Sequence, residues 1–110
     1  MGKPLDLIQG TVDILILRAL AWGPNHGYGV SQMIRERTEG TLDIEDAPLY
    51  KALHRLELEG SVSASWGLSE NNRRARYYRL TPAGRQRLRT QAADWKRYSA
   101  AVSLILDTVV

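Results

Sequence analysis

DAPLYKALHRLELEG (46–60), SVSASWG (61–67), LSENNRR (68–74) and ARYYRLTP (75–82) form one continuous stretch, and its reading decides the fold. It predicts a short helix closed by Gly60, a strand, a polar turn tipped with arginine, a returning strand, and a helix start at Thr81-Pro82. On the first helix, Leu49, Ala52, Leu53 and Leu56 follow the i, i+3, i+4, i+7 spacing of a core-facing stripe. At 3.6 residues per turn, Ala47, Tyr50, Lys51, His54 and Arg55 fall on the opposite face. No carboxylate lies between Ala47 and Arg55. A solvated helix face ordinarily mixes both signs, so this one predicts an anionic partner. Asp46 is placed to cap the helix N-terminus, and Pro48 suits its first turn, where a missing N–H costs nothing. The hairpin repeats the cationic bias, with Arg73, Arg74, Arg76 and Arg79 against Glu70.

Working outward, a first helix is expected from Leu7 to Trp22, where Ile8, Val12, Leu15, Ile16, Ala19 and Leu20 make an apolar stripe and Gly23-Pro24 ends it. A loop of turn formers, Gly23 to Gly27, leads to a second helix over 28–38 that buries Tyr28, Val30, Met33 and Ile34, with Gly40 at its C-terminus. Thr41 to Glu45 reads as either a short strand or an extended linker. In the hairpin, Val62, Ala64, Trp66 and Leu68 alternate with small polar residues, which predicts a half-buried strand with Trp66 in the core. Tyr77 and Tyr78 point to opposite faces, one inward and one toward a ligand. Thr81 and Pro82 open a last helix that runs to about Asp107. Its positions Leu88, Ala92, Trp95, Ser99, Val102, Leu106 and Val109 alternate by four and three, a seam too long for so small a body to cover, so a second copy is expected to cover it. The fold class is therefore mainly α with a small β-hairpin wing: a winged helix-turn-helix over 1–80 plus a C-terminal dimerisation helix over 81–110.

Composition narrows the function. A chain of 110 residues, 44% apolar, supports one core. It has no cysteine, which excludes a disulfide scaffold, cysteine-ligated zinc and a thiol nucleophile. MGKPLDLIQG carries no secretory h-region, and Asp6 breaks the myristoylation pattern. No apolar run approaches the ~20 residues of a membrane span, so a cytoplasmic location and no membrane partner are expected. The net charge of +3 hides an asymmetry: residues 1–60 hold 6 Lys and Arg against 9 Asp and Glu, whereas residues 61–110 hold 9 against 3. A basic hairpin and helix on a weakly acidic body is consistent with nucleic acid.

Four stretches, ILILRAL (14–20), GPNHGYGV (23–30), LYKALHRLELEG (49–60) and NRRARYYRLTPAG (72–84), resemble the short form of the PadR family of transcriptional regulators, and the resemblance spans nearly the whole chain. It implies a winged-helix domain, a C-terminal dimerising helix, and repression of nearby genes relieved by a small molecule. It implies that Tyr50, Lys51, His54 and Arg55 face double-stranded DNA and that Asn72, Arg73, Arg74 and Arg76 lie along the phosphates. Pro48 and Lys51 depart from the Ser and Pro that many members carry there. Arg55 and Lys51 have the reach for guanine O6 and N7, and Tyr50 suits a phosphate or a thymine methyl.

The remaining residues are weighed against plainer roles. His26, far in sequence from His54, lacks companion ligands and is expected to cap or brace its loop; no metal and no cofactor is expected. Gly27 and Gly29 echo a dinucleotide loop, but Gln32 stands where a third glycine belongs. Trp95 has two readings, a seam residue of the dimer or an aromatic wall for an effector beside Ile8, Asp94 and Tyr98. The dimer and effector surface is expected to use Ile8, Leu88, Trp95, Tyr98, Val102 and Leu106, and Arg89, Lys96 and Arg97 near it favour an aromatic or anionic effector. No triad or metal spacing supports an enzyme. A protein- or RNA-interaction winged helix is the alternative, opposed by the cation-only face of the helix closed by Gly60.

Overall fold

The computed structural model describes residues 3–8 and 10–109. In chain order these form α1 (Thr11–Ala21), β1 (Asn25–His26), α2 (Gly27–Arg37), α3 (Asp46–Leu58), β2 (Val62–Leu68), β3 (Arg74–Leu80) and α4 (Pro82–Leu106). The strands make an antiparallel sheet in the order β1-β3-β2. This is the winged helix-turn-helix with a long C-terminal helix. β1 is an addition to the expected hairpin: two residues between α1 and α2, Asn25 and His26, pair with Tyr78 and Tyr77. So short a strand leaves no period in the sequence.

The core forms where the apolar stripes converge. Ile16, Leu17 and Leu20 of α1, Val30 and Ile34 of α2, and Leu49, Leu53 and Leu56 of α3 are all buried. Val62, Tyr78 and Leu80 close it from the sheet, and Ile44 from the α2–α3 linker. That linker is bends and coil, not a strand. Thr38 shapes it: its hydroxyl accepts from the Leu42 N–H at 3.0 Å and donates to the Ile34 carbonyl at 2.8 Å.

Two boundaries and one buried position shift from the sequence reading. α1 begins at Thr11; Leu7 and Ile8 precede it as coil, and Gln9 lies outside the described residues. Asp46 is inside the first turn of α3, behind Glu45 as N-cap, and Glu45 makes no side-chain capping bond. Its carboxylate still suits the positive end of the helix dipole. Tyr28 sits on the outer side of α2, 64% exposed.

The junction between sheet and α4 follows the expected start signals. Thr81 Oγ1 accepts from the Gly84 N–H at 3.0 Å, and Pro82 occupies the first turn. The same hydroxyl donates to the Gly60 carbonyl at 2.6 Å. A Cβ on Gly84 would strike the Ser61 carbonyl oxygen, so glycine is what lets α4 lie against the α3–β2 turn. α4 packs on the core through Leu88 and lies beside the start of α1 as far as Tyr98, and only its last turns leave the body. Its projection contributes to a molecule measuring 57 × 33 × 21 Å. No helix of the described residues is long and apolar enough to cross a membrane.

Candidate nucleic-acid interface

α3 presents Ala47, Tyr50, Lys51, His54 and Arg55 to solvent because Leu49, Ala52, Leu53 and Leu56 take the buried face. Tyr50 leans over the start of α2: a Cβ on Gly27 would come within 2.6 Å of its ring. Gly27 therefore opens the slot that fixes Tyr50 while leaving it 46% exposed. Lys51 and His54 stand free of side-chain hydrogen bonds and ion pairs among the described residues.

Arg55 is different. Its guanidinium forks onto Asp13 of α1, Nη1 to Oδ2 at 3.0 Å and Nη2 to Oδ1 at 2.5 Å, and Nη1 lies 3.5 Å from Glu59. The hydrogen bond to Asp13 is the largest cause holding its pKa above the usual arginine range. This guanidinium is engaged by two carboxylates while its side chain stays 46% exposed, so it stands less free than Lys51 and His54 on the same face.

The wing is set by a tight tip. Asn72 takes a positive φ of 59°, its N–H donates to the Ser69 carbonyl at 2.9 Å, and the Ser69 N–H donates to the Arg73 carbonyl at 2.8 Å. Asn tolerates that conformation better than most side chains. Arg73 then points outward without a side-chain partner among the described residues. Arg74 lies over the ring of Trp66, 4.5 Å from its centroid, and Arg76 bonds Glu57 at 2.6 Å while standing 6.0 Å from the same ring. Trp66 is 58% exposed, which corrects its placement in the core. The inward phase of β2 meets apolar neighbours only as far as Ala64; farther out the hairpin has left the body, so Trp66 faces a groove. Tyr78 is the inward member of the tyrosine pair. Tyr77 is half-buried, donates to the Leu68 carbonyl at 2.8 Å, and takes the His26 ring at 5.3 Å in an edge contact.

Between α2 and the wing runs a groove of about 1010 Å³. Tyr28, Tyr50 and Trp66 line it with Arg37, Arg73, Arg74 and Arg76, against Glu36 and Glu70. Sequence reasoning missed Tyr28, Gln32, Arg37 and Trp66 as members of this surface. Gln32 Nε2 donates to the Tyr28 hydroxyl at 3.0 Å and so holds that ring in place. The available signal was the aromatic-and-arginine run of the hairpin, which continues past the point where any core can lie beneath it. His26 acts as expected, capping α2 through Nδ1, which accepts from the Gly29 N–H at 2.9 Å. No cluster of metal-ligating side chains occurs among the described residues.

A second, smaller cavity of about 360 Å³ lies where the start of α1 meets the middle of α4. Ile8, Gly10, Thr11, Ile14, Gln91, Asp94, Trp95 and Tyr98 line it. The Gln91 Oε1 is buried there without a hydrogen-bond partner among the described residues. Trp95 and Tyr98 tilt toward each other at 6.1 Å. Of the expected dimer seam, Leu88 is partly buried against the chain's own core, whereas Val102 and Leu106 are 40% and 76% exposed.

Similar proteins agree with this architecture. A transcriptional regulator from Clostridium thermocellum superposes with a TM-score of 0.78 at 33% identity, over 86% of this chain and 89% of its own. A PadR family transcription regulator from hypervirulent Clostridium difficile superposes at 0.76 with 26% identity, over 88% of this chain and 99% of its own. An uncharacterised protein of Lysinibacillus sphaericus is 30% identical over 102 residues, 93% of this chain and 94% of its own. A sequence model of the transcriptional regulator PadR-like family matches residues 16–90, from the core of α1 through the wing into α4, and the chain belongs to that family.

Proposed function

We propose that this protein is a homodimeric, sequence-specific repressor that binds a pseudo-palindromic DNA operator and is released by a small aromatic effector. One observation carries the reading. The exposed face of α3 offers Tyr50, Lys51 and His54 without internal partners, and beside it a wing holds Arg73 and Arg74 outward. Base-edge contacts specify and phosphate contacts position, and this surface supplies both kinds side by side. Asn72 and Arg76 sit on the same wing, with Arg76 shared between Glu57 and the interface.

Dimerisation is supported by the free end of α4, where Leu104, Ile105 and Leu106 are 73–76% exposed in a row. The matching helix of a second copy would cover them. The cavity beside Trp95 supports an effector. Among the described residues its lining carries aromatic rings, one carboxylate and an unpartnered carbonyl oxygen but no cation, which favours a flat ligand with hydrogen-bond donors over an anionic one.

Selection of bound fragments from random DNA, followed by titration on the recovered sequence, tests the reading. A dimer with two recognition helices selects half-sites about one turn, 34–36 Å, apart. Lys51→Ala is expected to cost about 1–3 kcal/mol on the operator only. Arg73→Ala weakens all sequences alike and flattens the slope of log K against log salt by about one unit. Equal losses on operator and random DNA for both variants would refute this division of roles, and recovery of no enriched sequence would favour a protein- or RNA-binding module. Sedimentation checks the assembly, with twice the 12.4 kDa of one chain expected.

A further inference from the structure

We propose that Asp13, Arg55, Glu59 and Arg87 form a positioning joint through which α4 sets the angle of the recognition helix, and so the half-site spacing that the dimer accepts. The inference rests on the DNA-binding reading above. It gives Arg55 a role in place of base reading.

The joint ties three helices that the sequence keeps far apart. Asp13 of α1, its side chain only 13% exposed, accepts from Arg55 of α3 through both guanidinium nitrogens and from Arg87 of α4 at 3.1 Å. Arg87 Nη1 donates to Glu59 Oε1 at 2.6 Å and to Ser61 Oγ at 3.0 Å. Two guanidinium groups and two carboxylates balance, and each carboxylate serves both cations. Planar forks on shared carboxylates define direction as well as charge. Because Asp13 is common to both arginines, displacing Arg87 also loosens the hold on Arg55.

Further contacts hold the same junction. Thr81, Gly84 and Arg87, spaced by three along α4, all meet the end of α3 and the turn after it. Thr81 does so through the Gly60 carbonyl, Gly84 by close approach to the Ser61 carbonyl, and Arg87 through the Ser61 hydroxyl and Glu59. α4 therefore cannot tilt without moving the C-terminal end of α3. In a dimer joined along α4, the angle between α3 and α4 fixes the separation of the two recognition helices. The joint also adjoins the smaller cavity: Thr11 and Ile14 flank Asp13 on α1, Gln91 lies one turn beyond Arg87 on α4, and all three line it. A ligand that widens the gap between α1 and α4 pulls Asp13 away from Arg87.

The experiment compares Arg55→Gln, Asp13→Asn and Arg87→Lys with the wild-type chain on three duplexes: a single half-site at low salt, the full operator, and operators whose spacer is changed by one or two base pairs. Expected half-site affinities stay within about twofold, while full-operator affinity falls about tenfold and the preference for one spacer flattens. The double variant Asp13→Asn/Arg55→Gln is expected to lose less than the sum of the two single ones, since both remove the Arg55–Asp13 pair. Thermal melting and sedimentation establish that each variant is folded and dimeric. Should Asp13→Asn unfold, Arg87→Lys and Glu59→Gln, which leave Asp13 in place, carry the same comparison. An equal loss on half-site and full operator for Arg55→Gln would make Arg55 a base reader and overturn the joint, as would a spacer profile unchanged in every folded variant. A wild-type chain that binds no duplex would instead bring down the DNA-binding reading, and the joint with it.

Discussion

The arginines of the hairpin stand in different company, and their expected contributions differ accordingly. Arg73 has no side-chain partner among the described residues, which suits the proposed contact with a phosphate. Arg74 is held on Trp66 at 4.5 Å, an arrangement that orders a flexible cation before DNA arrives and so reduces what binding must spend on ordering it. Trp66→Leu is expected to leave thermal stability nearly unchanged, within about 0.5 kcal/mol as for most surface positions, while weakening DNA binding through a freed Arg74. A melting curve beside an affinity titration checks this, and a large drop in melting temperature would return Trp66 to a structural role. Tyr78, across the sheet, offers a pH test. Burial is the largest cause raising its hydroxyl above the ordinary value of 10.0. The unfolded chain therefore loses this proton first, so the stability linked to Tyr78 is complete below pH 10.0 and is lost as pH rises through the folded value. Tyr78→Phe should lose less stability than the wild type above that pH, and denaturant titrations at pH 8 and in the alkaline range compare the two. Identical alkaline losses would show that the hydroxyl is not the group responsible.

At the scale of elements, the cap that starts α4 carries an unusual share of the architecture. Thr81 serves the Gly84 N–H and the Gly60 carbonyl with one hydroxyl. Thr81→Ala is expected to cost about 1–2 kcal/mol, the upper part of the range for lost N-caps, and Thr81→Ser should recover most of it; calorimetry reads both. Such local signals are why much of the fold was legible in the sequence. The i, i+3, i+4 stripe of α3, the Thr-Pro start of α4 and the turn-forming tip of the wing each depend on neighbours within a few residues, and each appears in the structure where its spacing placed it. What escaped depends on distant partners. The Arg55–Asp13 pair joins residues 42 apart, so periodicity showed a cationic face without the carboxylate that α1 lends it. β1 is fixed by β3 and not by its own two residues. Trp66 obeys the alternation of its strand, but alternation says only which face a side chain takes, and beyond Ala64 that face has no core behind it. Tyr28 failed for the reverse reason: an aromatic beside Val30 reads as apolar, and the groove between α2 and the wing leaves it in solvent.

For the whole molecule, the issue is how a small ligand could reach a DNA-binding surface it does not touch. A ligand shifts an equilibrium only by binding one arrangement better than the other, so the effector site must lie where the arrangements differ. α4 is the element that meets both the α3–β2 turn, through Thr81 and Gly84, and the apolar surface expected to join two copies, at Leu104 to Leu106. The cavity at Trp95 sits between those ends, against α1, with Gln91 Oε1 lacking a partner among the described residues. A buried acceptor without a donor is costly, and a flat ligand bearing an N–H or O–H would satisfy it while stacking on Trp95 and Tyr98. Aromatic compounds that release the operator are therefore expected to quench the fluorescence of Trp95 at the same concentrations. Trp95→Leu should remove both the quenching and the release while retaining dimerisation and operator binding. Gln91→Leu separates packing from hydrogen bonding: it is expected to stabilise the free protein slightly, by removing the orphaned oxygen, and to weaken effector binding about tenfold, near the upper range for one hydrogen bond. Release that persists at unchanged concentration in both variants would place the effector site elsewhere on the molecule.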